Sequence, residues 1–188
     1  DAMDENMEDW SPNLVGKVTQ ELKFTKELDQ LWAREMGTFL MKYQSHAELY
    51  TSCGKRNIQP DIFNYRIDVA SGWFVRQFEG EYNPVHVHQG SMFTGLSSVM
   101  ILKLPESYGS EYSARDKPMN GRLQIMGNST GQFCNTDYSP EVEERDFFIF
   151  PYDMRHCVYP FNSTNETRRT LAANCDVQFD PIKNRGVS

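Results

Sequence analysis

The chain has 188 residues, a length that suits one domain with its own hydrophobic core. Hydrophobic residues make up 39% and charged residues 24% of it, the balance of a folded globular protein rather than of a disordered chain. Lys and Arg number 19 against 26 Asp and Glu, so the net charge of −7 argues against a nucleic-acid-binding surface. No apolar run approaches the roughly 20 residues of a membrane span, and no signal peptide opens the sequence. We therefore expect a cytoplasmic protein with reduced thiols.

The first third of the chain is predicted to be helical. Between Thr25 and Tyr43 the apolar residues follow the three- and four-residue spacing of an amphipathic helix. A second helix is predicted from His46 to Cys53, with Gly54 ending it. We expect residues of about 10–59 to form a helical support whose apolar stripe packs on the core.

The sequence becomes strand-like after Pro60, with β-branched and aromatic residues in short runs separated by turn residues. Ser71-Gly72 predicts a turn between the first two strands. Helices followed by about eight short strands predict a mainly β fold with N-terminal helices (α+β), in which a jelly-roll barrel spans residues 60–180 of a single domain, 1–188. The predicted strands are 62–69, 73–78, 93–104, 121–126, 145–150, 155–159 and 167–179.

Three of the four histidines are candidate metal ligands. His86 and His88 are two residues apart, so in an extended segment both imidazoles face the same side. A jelly roll places distant strands side by side, and His156 can then complete a three-ligand face that leaves other coordination positions open for substrate and oxygen. Two histidines at this spacing are a weak motif alone, and an exposed pair on a strand is the alternative interpretation.

A candidate anion site follows on the last predicted strand. Arg168 comes twelve residues after His156, and Thr170 lies two residues further on the same face. The planar guanidinium fits a carboxylate in a two-pronged geometry, and the hydroxyl can assist it. Arg169 would take the place of Arg168 if the register of this strand were shifted by one residue.

These motifs, in this order, resemble the iron(II)- and 2-oxoglutarate-dependent oxygenase superfamily. The resemblance is strongest to a branch with an N-P-x-H-x-H segment and a terminal R-x-S…N strand, several members of which come from marine phages and bacteria. It covers residues of about 60 to 180. The segments that carry it are Asn83–His88, Thr94–Ser98, Leu102–Glu106, Asp146–Pro151 with His156, and Arg168–Asn174.

The resemblance implies a double-stranded β-helix that uses Fe(II) and 2-oxoglutarate. It implies that His86, His88 and His156 are the iron ligands. It also implies that Arg168 anchors the distal carboxylate of 2-oxoglutarate, with Thr170 as its hydroxyl helper. The reaction would then consume O2, release succinate and CO2, and hydroxylate a peptide, a protein or a small molecule. If the protein comes from a phage, we expect it in the cytoplasm of the host cell.

The chain departs from the superfamily at two places. Most members have Asp or Glu where this chain has His88, so a neutral imidazole leaves the site one negative charge short, which should weaken Fe(II) binding. The branch has an aromatic pair where this chain has Ser97-Ser98, so we expect a tyrosine contact to the co-substrate to be missing.

Two other functions fit the same residues. A cupin-like dioxygenase would use the three histidines without 2-oxoglutarate, and Arg168 would hold a carboxylate of the substrate. A non-enzymatic jelly-roll binding or structural protein would carry the histidines incidentally. In each case we expect no nucleic-acid or membrane partner, and a homodimer formed through an edge strand is possible.

Overall fold

The computed structural model describes residues 7–52, 65–111, 114–115, 117–127, 136–162 and 165–179. They contain a short 3-10 helix at Ser11–Asn13, one α-helix and eight β-strands. The elements are β1 Gln20–Lys23, α1 Lys26–Ser52, β2 Tyr65–Gln77, β3 Asn83–His86, β4 Gly95–Lys103, β5 Leu123–Met126, β6 Phe147–Pro151, β7 Arg155–Val158 and β8 Arg168–Phe179.

The strands form two antiparallel sheets, with the orders β1-β2-β8-β4-β6 and β3-β7-β5. From β2 to β8, consecutive strands alternate between the larger and the smaller sheet. Leu123 and Ile125 of the smaller sheet form a buried cluster with Phe150 of the larger one, so the two sheets face each other. This winding is a double-stranded β-helix, which confirms the predicted jelly roll.

Helix α1 packs against the outer face of the larger sheet. Trp32 and Leu40 join the buried cluster that contains Leu96 and Ala173, which confirms that the apolar stripe belongs to the core. The prediction of two helices is wrong, because the chain continues through His46 to Ser52 without a break. The region between the two predicted helices contains no glycine or proline to end the first one. Among the described residues no helix is long and apolar enough to cross a membrane.

The turn predicted at Ser71-Gly72 is also wrong, because these residues lie inside the 13-residue strand β2. Strand β8 pairs with β2 along its whole length. At the position of the predicted turn, the pairing shows only a shift in register between Val69 and Ser71. A Cβ atom at Gly72 would clash with the ring of Phe24, so this glycine provides space for packing rather than a turn.

Two short strands were not predicted. β1 lies in the segment that the sequence assigned to the helical support, and its two central residues, Glu21 and Leu22, are both buried. β3 is only four residues long, and it carries the first histidine of the pair. Strands β4 to β8 match their predicted positions within two residues at either end, whereas β2 replaces two predicted strands. The Gly54 end of the second helix and the start of the first predicted strand lie outside the described residues.

Candidate metal centre and its cavity

The smaller sheet brings two of the histidines together. His86 ends β3 and pairs directly with His156 of β7 in the antiparallel register. His88 follows β3, and its backbone N–H donates to the carbonyl of Tyr152 at 3.0 Å. Its ring stacks on Trp73 of the larger sheet, with 5.8 Å between ring centroids and an interplanar angle of 11°. Contacts to the turn between β6 and β7 and to β2 of the larger sheet therefore fix the position of His88.

The three imidazoles converge through their Nε2 atoms. His88 Nε2 lies 3.1 Å from His86 Nε2 and 3.0 Å from His156 Nε2. One ligand atom from each ring falls within 4.8 Å of the other two, so the group could hold a metal ion. The structure thus brings together all three histidines singled out in the sequence, whereas His46 lies on α1 and bonds to the carbonyl of Lys42.

Backbone carbonyls orient two of the rings. His86 Nδ1 lies 2.6 Å from the carbonyl oxygen of Pro84, and His156 Nδ1 lies 3.0 Å from that of Met154. A carbonyl can only accept, so both Nδ1 atoms carry the hydrogen and donate it. In the neutral rings Nε2 then has the free lone pair, which is the form that binds a metal.

His88 has a different outer partner. The Nδ2 atom of Asn174 lies 2.7 Å from His88 Nδ1, and the Oδ1 atom of the same amide accepts the hydroxyl of Ser97 at 2.9 Å. In this orientation Nδ1 accepts and the ring hydrogen is on Nε2, from which it can be donated to the neighbouring imidazoles. Metal ligation by Nε2 requires the amide of Asn174 to be turned by 180°, so that its oxygen accepts a hydrogen on Nδ1.

Burial keeps the triad neutral. Desolvation, together with the nearby rings of His156 and His86, lowers the pKa of His88 to about 3. Desolvation likewise lowers the pKa of His156 to about 4, and it lowers that of His86. Uncharged imidazoles retain the lone pairs that a metal ion needs.

Arg168 and Thr170 lie on β8 and line the same cavity as the histidines, which has a volume of about 390 Å³. Arg168 is only 2% exposed, and its Nε and Nη2 atoms have no hydrogen-bond partner among the described residues. A buried guanidinium with free donors is costly unless an anion satisfies it, so these atoms fit a carboxylate. Arg169 does not line the cavity, because alternate residues of a strand face opposite sides.

A tyrosine missed in the sequence lies beside Arg168. The charge of Arg168 acts on the phenol of Tyr108 to lower its pKa, although burial raises that pKa overall. The Tyr108 hydroxyl is buried and has no hydrogen-bond partner in the described part of the chain. The ring packs edge-on against Phe161 at 5.7 Å, in the space left by Gly121, whose φ is +65°. Its position at the start of a polar loop gave no signal of this role.

This arrangement of three histidines and a buried arginine on a double-stranded β-helix agrees with a family comparison. The model of the family described as "Putative 2OG-Fe(II) oxygenase" matches residues 71–174, more than half of the chain. The chain therefore belongs to this family of oxygenases, which use Fe(II) and 2-oxoglutarate. A search of curated proteins found no match.

Solved structures show distant likenesses. A prolyl-4-hydroxylase from Pseudomonas putida is 12% identical with a TM-score of 0.46, over 93% of this chain and 78% of that one. An oxidoreductase of the 2OG-Fe(II) oxygenase family from Burkholderia pseudomallei is 10% identical with a TM-score of 0.43, over 60% of this chain. The match spans only 46% of the Burkholderia chain. A cupin from Desulfovibrio desulfuricans is 12% identical with a TM-score of 0.33, over 64% of this chain and 90% of that one.

Proposed function

We propose that the protein is a non-haem Fe(II)- and 2-oxoglutarate-dependent dioxygenase that hydroxylates a peptide, a protein or a small molecule and releases succinate and CO2. The observation that supports this most is one cavity that joins three converging Nε2 atoms to a buried guanidinium with free donors. In this proposal His86, His88 and His156 hold the metal, Arg168 binds the distal carboxylate, and Thr170 assists it.

Strand β8 supplies most of the proposed co-substrate site. Arg168, Thr170, Ala172 and Asn174 are alternate residues of β8 that all line the cavity. The carboxylate anchor and the outer partner of His88 therefore lie on one rigid element, with the small side chain of Ala172 leaving space between them. Fe(II), when bound, supplies the activation of O2 that is coupled to decarboxylation of 2-oxoglutarate. The protein orients the co-substrate and excludes water around His88 with the ring of Trp73.

The neutral triad has a consequence for binding. Three imidazoles do not compensate the charge of a divalent metal, whereas the 2-oxo acid end of the co-substrate can do so. We expect metal and 2-oxoglutarate to strengthen each other's binding, as linkage between two ligands requires.

A cupin-like dioxygenase that does not use 2-oxoglutarate is the second candidate, and the ligand set of three histidines favours it. The two functions differ in what Arg168 binds, which is 2-oxoglutarate in the first and a carboxylate of the substrate in the second. Calorimetric titration of 2-oxoglutarate into metal-loaded protein separates them. We further propose a single cytoplasmic domain that can form a homodimer.

Metal analysis and succinate release test the main proposal. Protein purified without a His tag is expected to bind one metal ion per chain and to release succinate only when 2-oxoglutarate is added. The variant H86A is expected to lose both properties, whereas H46A on helix α1 is expected to keep both. Unchanged metal content and turnover in H86A would overturn the assignment.

A further inference from the structure

A buried carboxyl group lies on the wall of the same cavity and has no role in the proposed chemistry. Glu21 of β1 is only 3% exposed, and it lines the cavity together with His86 and His88. It pairs across the sheet with Val75, which in turn pairs with Thr170. Because residues opposite each other in a sheet share a face, the side chain of Glu21 is on the inner face that carries the proposed co-substrate site.

The surroundings of this carboxyl group are unusual because they are acidic. The pKa of Glu21 is raised to about 7, mainly by burial; a hydrogen bond from Asn83 acts to lower it, and the charges of Glu81 and Asp9 act to raise it. Lys23, on the same face of β1, is engaged elsewhere: its Nζ lies 3.4 Å from a carboxylate oxygen of Glu8 and 4.1 Å from the ring of Trp10. A buried carboxyl group in such a place gains stability when a cation binds to it.

Glu81 shows how this fold satisfies a carboxylate that has a structural role. It accepts the backbone N–H of Thr19 at 3.0 Å, the Thr19 hydroxyl at 2.7 Å and the backbone N–H of Phe78 at 2.9 Å. Three donors stabilise its charge without any ligand. The surroundings of Glu21 do not match this, since the one hydrogen bond that acts on its pKa comes from the amide of Asn83.

The backbone holds Glu21 in place. Its N–H donates to the hydroxyl oxygen of Ser11 at 3.0 Å, and its carbonyl accepts the N–H of Trp10 at 2.6 Å. A carboxyl group on a fixed strand can bind a ligand with little further loss of conformational entropy. The segment that holds the backbone of Glu21 also forms the neighbouring wall of the cavity, through Trp10, Asn13 and Leu14.

We propose that Glu21 binds a cationic group of the substrate, an ammonium or a guanidinium, and so selects basic substrates for the reaction at the histidine triad. The inference rests on the proposed function, because it names the substrate class of that site. The cavity then has a guanidinium that binds an anionic co-substrate and a carboxyl group that binds a cationic substrate.

Two matched probes test this inference. Nα-acetyl-lysine amide carries an ammonium, whereas Nα-acetyl-norleucine amide has a similar side chain without the charge. Each is titrated calorimetrically into protein loaded with Mn(II) and 2-oxoglutarate. The wild-type protein is expected to bind the lysine probe at least about tenfold more tightly than the norleucine probe.

The variants assign the preference to Glu21. E21Q is expected to bind the two probes within about twofold of each other, and E21D, which keeps the charge, to retain a preference for the lysine probe. E143Q makes the same change at an exposed site and is expected to behave as the wild type. Binding of 2-oxoglutarate by each variant shows that its site is folded.

The result that overturns the inference differs from the one that overturns the proposed function. Equal binding of the two probes, no binding of either, or an unchanged preference in E21Q overturns the role of Glu21. If Mn(II)-loaded wild-type protein does not bind 2-oxoglutarate, the proposed function itself fails.

Discussion

Asn174 Nδ2 lies 2.7 Å from His88 Nδ1, so the amide of Asn174 determines which nitrogen of His88 carries the hydrogen. With Nδ2 facing the ring, Nδ1 accepts and Nε2 keeps the hydrogen. With Oδ1 facing the ring, Nδ1 donates and Nε2 can bind a metal. Ser97 fits either orientation, because its hydroxyl can donate to Oδ1 or accept from Nδ2. The orientation of one buried amide therefore decides whether His88 is a ligand.

Variants at Asn174 are expected to change metal affinity in opposite directions. N174A removes the acceptor that a ligating His88 needs and should weaken Mn(II) binding by roughly 10–100-fold. N174D offers only acceptor oxygens and adds the negative charge that the triad lacks, so it should bind Mn(II) more tightly than the wild type. Calorimetric titration at pH 7.5 measures both effects.

Ser98 provides the control for this prediction. Its hydroxyl donates to the carbonyl of Ala173 at 3.1 Å, away from the Asn174 amide. S98A is expected to keep the wild-type affinity for Mn(II), whereas S97A, which removes the other partner of Asn174, should lower it. If N174A bound Mn(II) as tightly as the wild type, the amide would have no influence on His88.

The parts of the candidate site whose proximity could be predicted from the sequence are those with local periodicity. The spacing of His86 and His88 and the alternation from Arg168 to Thr170 follow from strand geometry alone, and the structure places all four residues on one cavity. The position of His156 beside them followed from the predicted jelly roll, because the strands of that fold alternate between two sheets.

The parts that the sequence could not predict depend on tertiary contacts. Glu21 lies in a polar four-residue strand that exists because it pairs with the edge of β2, and no periodicity indicates it. Tyr108 reaches Arg168 from a loop whose course depends on contacts such as the hydrogen bond from Asn120 to its carbonyl, at 2.8 Å. The expected loss of a tyrosine near the co-substrate rested on Ser97-Ser98, whereas the structure supplies a phenol beside Arg168 from the loop that follows β4.

Substitutions at Arg168 and Arg169 test the register of β8. R168Q removes the buried guanidinium and is expected to weaken 2-oxoglutarate binding by more than about tenfold, with little effect on Mn(II) affinity. R169Q changes the opposite face of the strand and should leave 2-oxoglutarate affinity within about twofold of the wild type. Calorimetry on Mn(II)-loaded protein gives both values. A larger loss in R169Q than in R168Q would mean that the anchor is Arg169.

Removal of the Tyr108 hydroxyl is expected to affect the co-substrate more than the fold. The hydroxyl has no partner among the described residues, so Y108F should leave the melting temperature unchanged or slightly raised. If the phenol donates to the carboxylate held by Arg168, 2-oxoglutarate binding should weaken by about threefold to tenfold. Y159F is the matched control, since the Tyr159 hydroxyl donates to Gln124 Oε1 at 3.0 Å. A Y108F protein with wild-type affinity for 2-oxoglutarate would exclude this contact.

The buried carboxyl group of Glu21 should also affect stability in the absence of any ligand. Its pKa is about 7 in the folded protein against an ordinary value of 4.5, with burial as the main cause and Glu81 and Asp9 adding to it. Between these two pH values the folded protein binds more protons than the unfolded chain, so its stability decreases as the pH rises. The wild type should therefore lose on the order of 2 kcal/mol relative to E21Q between pH 4.5 and pH 8, because glutamine does not titrate. Urea unfolding at the two pH values measures the difference, and E143Q should follow the wild type. A difference between wild type and E21Q that does not change with pH would show that the pKa of Glu21 is the same in the folded and the unfolded chain.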